Sequence, residues 1–486
     1  MTFEALLTFI GILVAILAIV RPVQRRSINL FVPLWSLGLA MTLALILIVV
    51  RDAPLGVPPP FGWPLPLVLF SLTLAAFLIP VGAALWCWNS WQKAKLTGAK
   101  FERVESIFQA ALREGEFDEV ERIIRSNFDK LDKLPDGAVS VLFDPAMVSA
   151  LIGSHSFVHL ELLANVKFLK SLKNRFGHVD VVTRELLRSE STPLRSAVVS
   201  RYGGWEELPF SDSERCLIEK TFQNPEWYAE SSAHYPLVIS SVEILRTGKL
   251  DTAYNNIGRD YEALQGISRR ARCPIYLALK TEVIAIESAI RAHNESDFYV
   301  SDLSDIFFAV QERSKFSKES WESDLSNREF PTPYAYLLYE ISADLNDLSE
   351  TAVQAATSPS MPYVVEPPGS VANALARIWS LCVWNIADSQ GQVSLSFRNE
   401  IIKRYLLFVL ALGWEPSEIY HGSSGHNLEE LKVWRDLFLR ELQERFAGDS
   451  RGRAVIMEAM ESLDQGKRFV FEGYDWLEQK LFGKSD

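Results

Sequence analysis

The sequence predicts a mostly α-helical protein, with three N-terminal transmembrane helices followed by an all-α cytoplasmic domain that contains repeat-like helix hairpins. Three observations carry this. Long apolar runs crowd the first 92 residues. Apolar residues then recur at helical spacing through most of the chain. Strand-like patterning is confined to PYVVE (362–366) and RFVFEGY (468–474).

The membrane part comes first. Its apolar runs are Leu6–Val20, Ile28–Val50 and Leu65–Trp88. The last two exceed the ~20 residues a bilayer-crossing helix needs, and the first reaches that length with the residues before it. None holds a charge in its middle. Lipid leaves backbone groups no outside partner, so each run reads as a helix, over about 3–20, 28–50 and 65–88. The loop RPVQRRS holds Arg21, Arg25 and Arg26, and Lys93, Lys95 and Lys100 follow the third run. The Pro-rich loop between the second and third runs holds Arg51 beside Asp52. This bias puts the first loop and everything after about residue 89 in the cytoplasm, with the N-terminus outside, as in a bacterial inner membrane. Trp86, Trp88 and Trp91 read as an aromatic belt at the exit. Positive charge follows the first run instead of preceding it, which argues against a cleaved signal peptide. The spans lack ionisable residues in their middles, so they read as an anchor and a self-association surface before a transport pathway. Pro33 and Pro80 are the expected kinks, and Ser36, Gly38 and Thr42 would allow close helix approach.

The cytoplasmic part opens with a hairpin over 102–131. Val104, Ile107, Phe108, Ala111 and Leu112 share one helical face, and Val120, Ile123, Ile124, Phe128 and Leu131 form a second after Gly115. LREGEFDEVERIIRSNFDKL (112–131) aligns without gaps to LRTGKLDTAYNNIGRDYEAL (245–264), which predicts a like hairpin over 236–264. The pairing of a turn glycine with two apolar stripes resembles a unit of a tetratricopeptide-like repeat, although that consensus is absent. STPLRSAVVSRYGG (191–204) and TPYAYLLYEISADLNDLSETAVQAAT (332–357) read as further capped helices. SPSMPYVVEPPGS (358–370) reads as a linker. It would divide a helical domain (95–357) from a C-terminal subdomain (371–486), in which Asn427 and Glu430 stand at capping-box spacing before a helix ending near Phe446.

Composition narrows the function classes. The formal charge is −12, and the first 89 residues hold only Glu4 and Asp52 as acids, so the cytoplasmic part is more acidic still. That argues against nucleic acid as a partner. Cys87, Cys216, Cys273 and Cys382 are scattered, without CxxC or disulfide spacing, as in a reducing compartment. Nucleotide-loop, zinc-protease and nucleophile-elbow motifs are all missing from the sequence, and no cofactor is implied.

Three constellations carry candidate sites. His155, His159 and Glu161 in SHSFVHLELL have metal-ligand residue types, yet Glu161 lies off the i, i+4 face of the two histidines. Gly422, Ser423, Ser424 and Gly425 precede a helix, where backbone N–H groups receive anions, but the lysine of a phosphate loop is missing. Lys167, Lys170 and Lys173 share one broad side of NVKFLKSLKNRF, a face suited to anionic lipid or an acidic partner. The leading expectation is therefore a membrane-anchored binding or signalling protein that senses or scaffolds a protein or small-ligand partner at the membrane, with the bilayer and a protein partner or a second copy of itself as its contacts. Two others compete: a membrane-disrupting effector of a microbial defence or toxin system, and an enzyme with an unrecognised helical site, built on His155, His159 and Glu161 or on Asp and Glu elsewhere.

Overall fold

The computed structural model describes residues 8, 11, 21–52, 64–154, 158–188, 194, 198, 221–247, 273–292, 298–314, 333–357, 370–388, 395–412, 428–447, 449–464 and 471–483. Every regular element among them is helical. The chain forms two compact units, Met1–Val182 and Thr183–Asp486.

Unit 1 starts with a departure from the expected spans. The run 28–50 is not one helix. It is divided between α1 (Pro22–Phe31) and α2 (Leu34–Asp52), which meet at 76°. Pro33 is the cause: the residue before a proline is driven out of the helical region, and Val32 is extended at φ −92°, ψ 126°. The basic loop RPVQRRS is therefore largely helical. It buries Val23, Ser27 and Phe31 on one stripe. Of the first expected span, only Thr8 and Gly11 are described, and both are helical.

The third run becomes α3 (Leu65–Lys93), which continues through Pro80. By length and composition it is long and apolar enough to cross a bilayer, and the bent α1–α2 pair qualifies only if taken as one broken span. α2 and α3 pack on Ala44, Ile48 and Ala76, where small side chains let the two backbones approach. Ser36 Oγ meets Cys87 Sγ at 3.7 Å, so the start of α2 lies level with the end of α3. Phe70, Leu74, Phe77, Leu85 and Trp88 stay exposed along α3, a continuous apolar face against which none of the described residues packs.

The expected hairpin follows as α4 (Lys100–Glu114) and α5 (Asp118–Ser126). Gly115 closes α4 in the left-handed region at φ 72°, its N–H bonded to Ala111 O at 2.8 Å. Val104, Ile107, Phe108 and Ala111 are buried on α4, and Val120, Ile123 and Ile124 on α5. Each of the buried Val, Ile and Phe side chains contributes about 1.5–3 kcal/mol. Leu131 is buried too, but in a 3-10 turn (Phe128–Lys133). Short helices α6 (Asp136–Leu142), α7 (Pro145–Gly153), α8 (Val158–Ala164) and α9 (Val166–Ser171) continue the unit, and the two units divide within α10 (Arg175–Arg188).

Unit 2 contains α11 (Pro225–Ser231), α12 (His234–Thr247), α13 (Pro274–Arg291), α14 (Phe298–Ser314) and α15 (Pro333–Thr357). It continues with α16 (Ser370–Asp388), α17 (Leu395–Ala411), α18 (Leu428–Phe446), α19 (Ser450–Asp464) and α20 (Phe471–Phe482). The strand expected at 468–474 is helical from Phe471, while 362–366 lies outside the described residues, as do 248–264 of the second hairpin. Helices on either side of 358–370 pack within this one unit: Gln311 donates to Asn385 O at 3.0 Å and Arg404 to Tyr339 O at 3.1 Å. One aromatic core joins Trp379 of α16, Tyr405 and Phe408 of α17 and Phe438 of α18, with ring centroids 4.9–6.1 Å apart.

Candidate functional site

The most elaborate polar arrangement in unit 1 lies where α3 meets the hairpin. A helix ends with carbonyls that lack partners, and α3 ends at Ala94, a non-glycine residue in the left-handed region at φ 40°. Asn127, just past α5, holds this turn. Its Nδ2 donates to Ala94 O at 2.7 Å and to Ile123 O at 2.8 Å, and its Oδ1 accepts Leu96 N–H at 2.7 Å. Asn127 is buried, so all three bonds are sheltered from water.

Arg122 of α5 completes the clasp. It donates to the terminal carbonyls of α3, Gln92 O at 3.2 Å and Trp91 O, and to Ser27 Oγ of α1 at 2.9 Å. Glu119, itself buried, pairs with it one turn earlier. The guanidinium lies 5.0 Å from the Trp91 ring and 6.0 Å from that of Phe31. Trp91 is therefore turned into this junction instead of standing in the belt with exposed Trp86 and Trp88. One arginine thus ties α1, α3 and α5 together. Hydrogen bonds to charged groups are worth about 1.5–3 kcal/mol each, so the junction is stiff. What it offers is mechanical continuity between α1, α3 and α5.

The sequence-derived candidates fall elsewhere. His159 is fully buried, bonded through Nε2 to Leu142 O at 2.8 Å and edge-on to Phe143 at 5.6 Å. Burial pushes its pKa down to about 4, so it is a neutral core residue. Glu161 instead pairs with Arg125 at 2.7 Å, and His155 lies outside the described residues. Among the described residues no three potential ligands converge as a metal site would need. Lys167 pairs with Asp132 at 3.1 Å, Lys173 with Asp136 at 2.5 Å, and Lys170 is exposed. Phe168, Leu169 and Leu172 are buried opposite them. α9 stops at Ser171, so Lys173 lies beyond the helix. Residues 422–425 are outside the described part.

Unit 2 holds charges that the sequence did not single out. α13 is buried on nearly all sides and still carries Lys280 and Glu282. Lys280 Nζ pairs with Asp344 at 2.5 Å and Glu340 at 2.9 Å, both on α15, and lies 5.4 Å from the Tyr276 ring. Burial, reinforced by Glu340 and opposed by Lys280, pushes Asp344 up to about 7. Its Oδ2 is buried without a partner. Two residues after Lys280, burial and neighbouring Asp302 of α14 push Glu282 upward, opposed by the Tyr228 hydroxyl. Asp302 rises to about 7 through burial and the charge of Asp305. Asp305 also lines a cleft of about 570 Å³ between α12 and α14, with Val238, Val242, Arg246, Phe308 and Glu312. The alternation of Lys280 and Glu282 on one helix has no signature in a single sequence.

No protein-family model matches the chain, and no curated protein matches it. A solved structure described as a circular tandem repeat protein with novel repeat topology and enhanced subunit contact surfaces aligns over 91% of this chain and 88% of its own, at 17% identity and a TM-score of 0.29. A TM-score that low gives the likeness no weight for architecture or function.

Proposed function

We propose that this chain is a membrane-anchored helical binding or signalling protein, in which the anchor and the first cytoplasmic hairpin move as one body. The observation that supports it is the clasp of Arg122 and Asn127 on the last carbonyls of α3. A protein that needs only to be kept at a membrane can use a slack tether. Here the turn after the apolar helix is bonded from two sides, and Ser27 of α1 is bonded as well. The exposed apolar face of α3 supports a lipid environment, since water would penalise so continuous a surface. On this reading, a partner or small ligand bound by the helical domain biases the spans, or the reverse.

The test separates anchoring from coupling. The full chain is expressed in bacteria, and its membranes are washed with alkaline carbonate. Retention in the pellet, with proteolysis of the helical domain only after lysis, is the expected result. A flexible Gly/Ser insertion after Gly98 is then compared with the parent chain, using site-specific photocrosslinkers in the helical domain. The reading predicts that the pattern of trapped neighbours changes on insertion while retention does not. An unchanged pattern would reduce the anchor to a tether; extraction by carbonate would remove the membrane altogether.

A further inference from the structure

We propose that the cleft between α12 and α14 binds a small organic dication, one with an apolar body between two ammonium groups. The cleft lies wholly within unit 2, so this goes beyond the anchored reading above and does not rest on it. Its volume of about 570 Å³ is ordinary for a small-ligand site. On α14, Asp305, Phe308, Ala309 and Glu312 line it at i, i+3, i+4 and i+7, the spacing of one helix face. That face runs from carboxylate through an apolar patch to carboxylate. At 1.5 Å per residue the two acids stand about 10 Å apart along the helix axis.

Opposite them, α12 offers Val238, Ile239 and Val242. The cleft is thus apolar on both walls, with acids at the two ends of the α14 wall. An anion would be repelled by them. An amphipathic peptide helix needs an apolar groove for the whole of its stripe, and here acids interrupt the groove within two turns. A methylene chain capped by cations meets both kinds of surface. Its body loses water against Val242 and Phe308, and its ends meet Asp305 and Glu312.

The charge of the cleft is unbalanced in the same sense. Its lining sets Glu243, Asp305 and Glu312 against Arg246. Glu243 is held by Arg184 at 3.3 Å. Asp305 and Glu312 are exposed, and neither takes an ion pair or a hydrogen bond from Arg246 or any other described residue. One turn before Asp305 on α14, Asp302 keeps Oδ2 buried without a partner, and Asp302 in turn neighbours Glu282. The charge of Asp305 bears on Asp302, so a cation at Asp305 would offset the repulsion between them. A line of carboxylates at an apolar-walled cleft draws cations to it.

The test titrates α,ω-diaminooctane into the full chain, purified in a neutral detergent, by isothermal calorimetry against a protein-free detergent blank. Saturable one-to-one binding is expected, and it should weaken as salt rises. Asp305→Asn and Glu312→Gln should each weaken it by about two- to fivefold, and the double variant by roughly the product. Both side chains are exposed and both replacements isosteric, so an unfolding midpoint equal to that of the parent is expected for each variant. α,ω-Diaminobutane is too short to meet both acids and should bind the wild type at least about fivefold more weakly. Val242→Arg, which sets a cation on the apolar wall, should abolish binding of either diamine. Absence of saturable binding to the wild type overturns the inference. So does an affinity that the double variant leaves unchanged, or equal affinity for the two diamines.

Discussion

Asn127 grips Ala94 and Leu96 across a left-handed turn, donating to Ala94 O and accepting from Leu96 N–H, each at 2.7 Å. A buried group stripped of its partner costs about 1–3 kcal/mol, and Asn127→Ala strips several at once. The expected loss is about 2–5 kcal/mol in unit 1, with amide exchange at Ala94–Leu96 accelerated at least tenfold. Asn127→Asp, which keeps the acceptor and loses both donors, should also destabilise. Unchanged exchange in the alanine variant would mean that the turn holds without its clasp.

Gly115 ends α4 at φ 72° with open space where a Cβ would stand. The only penalty of Gly115→Ala is conformational, about 1 kcal/mol. Chemical denaturation should show the midpoint falling with an unchanged slope, and Gly115→Asn should fall less. A neutral alanine variant would mean that the hairpin turn tolerates a rearranged cap.

Pro33→Ala restores an N–H and lifts the restriction on Val32. The bend between α1 and α2 should open, lengthening the distance between spin labels at Gln24 and Val49. If that distance stays fixed, the packing of Val23 and Phe31, not the proline, sets the bend.

Lys280→Met leaves Asp344 buried, and Glu340 half-buried, without their cation. Removing one partner of a buried ion pair costs about 3–5 kcal/mol. Lys280→Met combined with Glu340→Gln and Asp344→Asn should recover a good part of that loss. A single methionine variant as stable as the parent would mean that the pair is solvated.

Unit 2 and unit 1 should answer pH with opposite signs. Asp344 and Asp302 titrate near 7 when folded, against 3.8 when unfolded. The folded state therefore holds protons that the unfolded chain has lost, and their contribution, complete below about pH 4, is lost as pH rises through 7. His159 in unit 1 is depressed to about 4 from 6.5, so its contribution is complete above 6.5 and is lost as pH falls toward 4. His234, lowered by burial, opposes the trend in unit 2. Exchange of α13 amides should be slower at pH 5.5 than at pH 8, after correction for intrinsic rates, and Asp344→Asn should flatten that difference. Equal protection at both values would mean that these carboxyls ionise freely in the fold.

The first hairpin was legible in the sequence because each signal was local. The glycine, the two apolar stripes and the spacing all lie within thirty residues and agree with one another. The apolar composition of 28–50 was equally plain, yet its bend depended on weighing one proline against a long hydrophobic run. RPVQRRS looked like a loop because three arginines obscured the i, i+4 stripe of Val23, Ser27 and Phe31. The clasp was hidden for another reason: Arg122 and Asn127 act on carbonyls about thirty residues away, and a charge on an amphipathic helix ordinarily faces water. Lys280 and Glu282 are the extreme case, since only the crowding of neighbouring helices decides that their helix has no wet side. His159 shows the converse. Its residue type suggested a ligand, whereas its surroundings made it a packing residue.

The clasp also has a consequence of scale. α3 is 29 residues long, about 43 Å at 1.5 Å per residue. A helix of that length, fixed to the hairpin at one end, can act as a lever. A tilt of about 10° sweeps its far end through roughly 7 Å, by simple trigonometry on that length. Rotation about its own axis reaches α5 through Arg122 as torque, because the guanidinium also holds α1. On the proposed anchored reading, membrane thinning or thickening, which changes the tilt of a long span, would reach the first hairpin with no ligand at all.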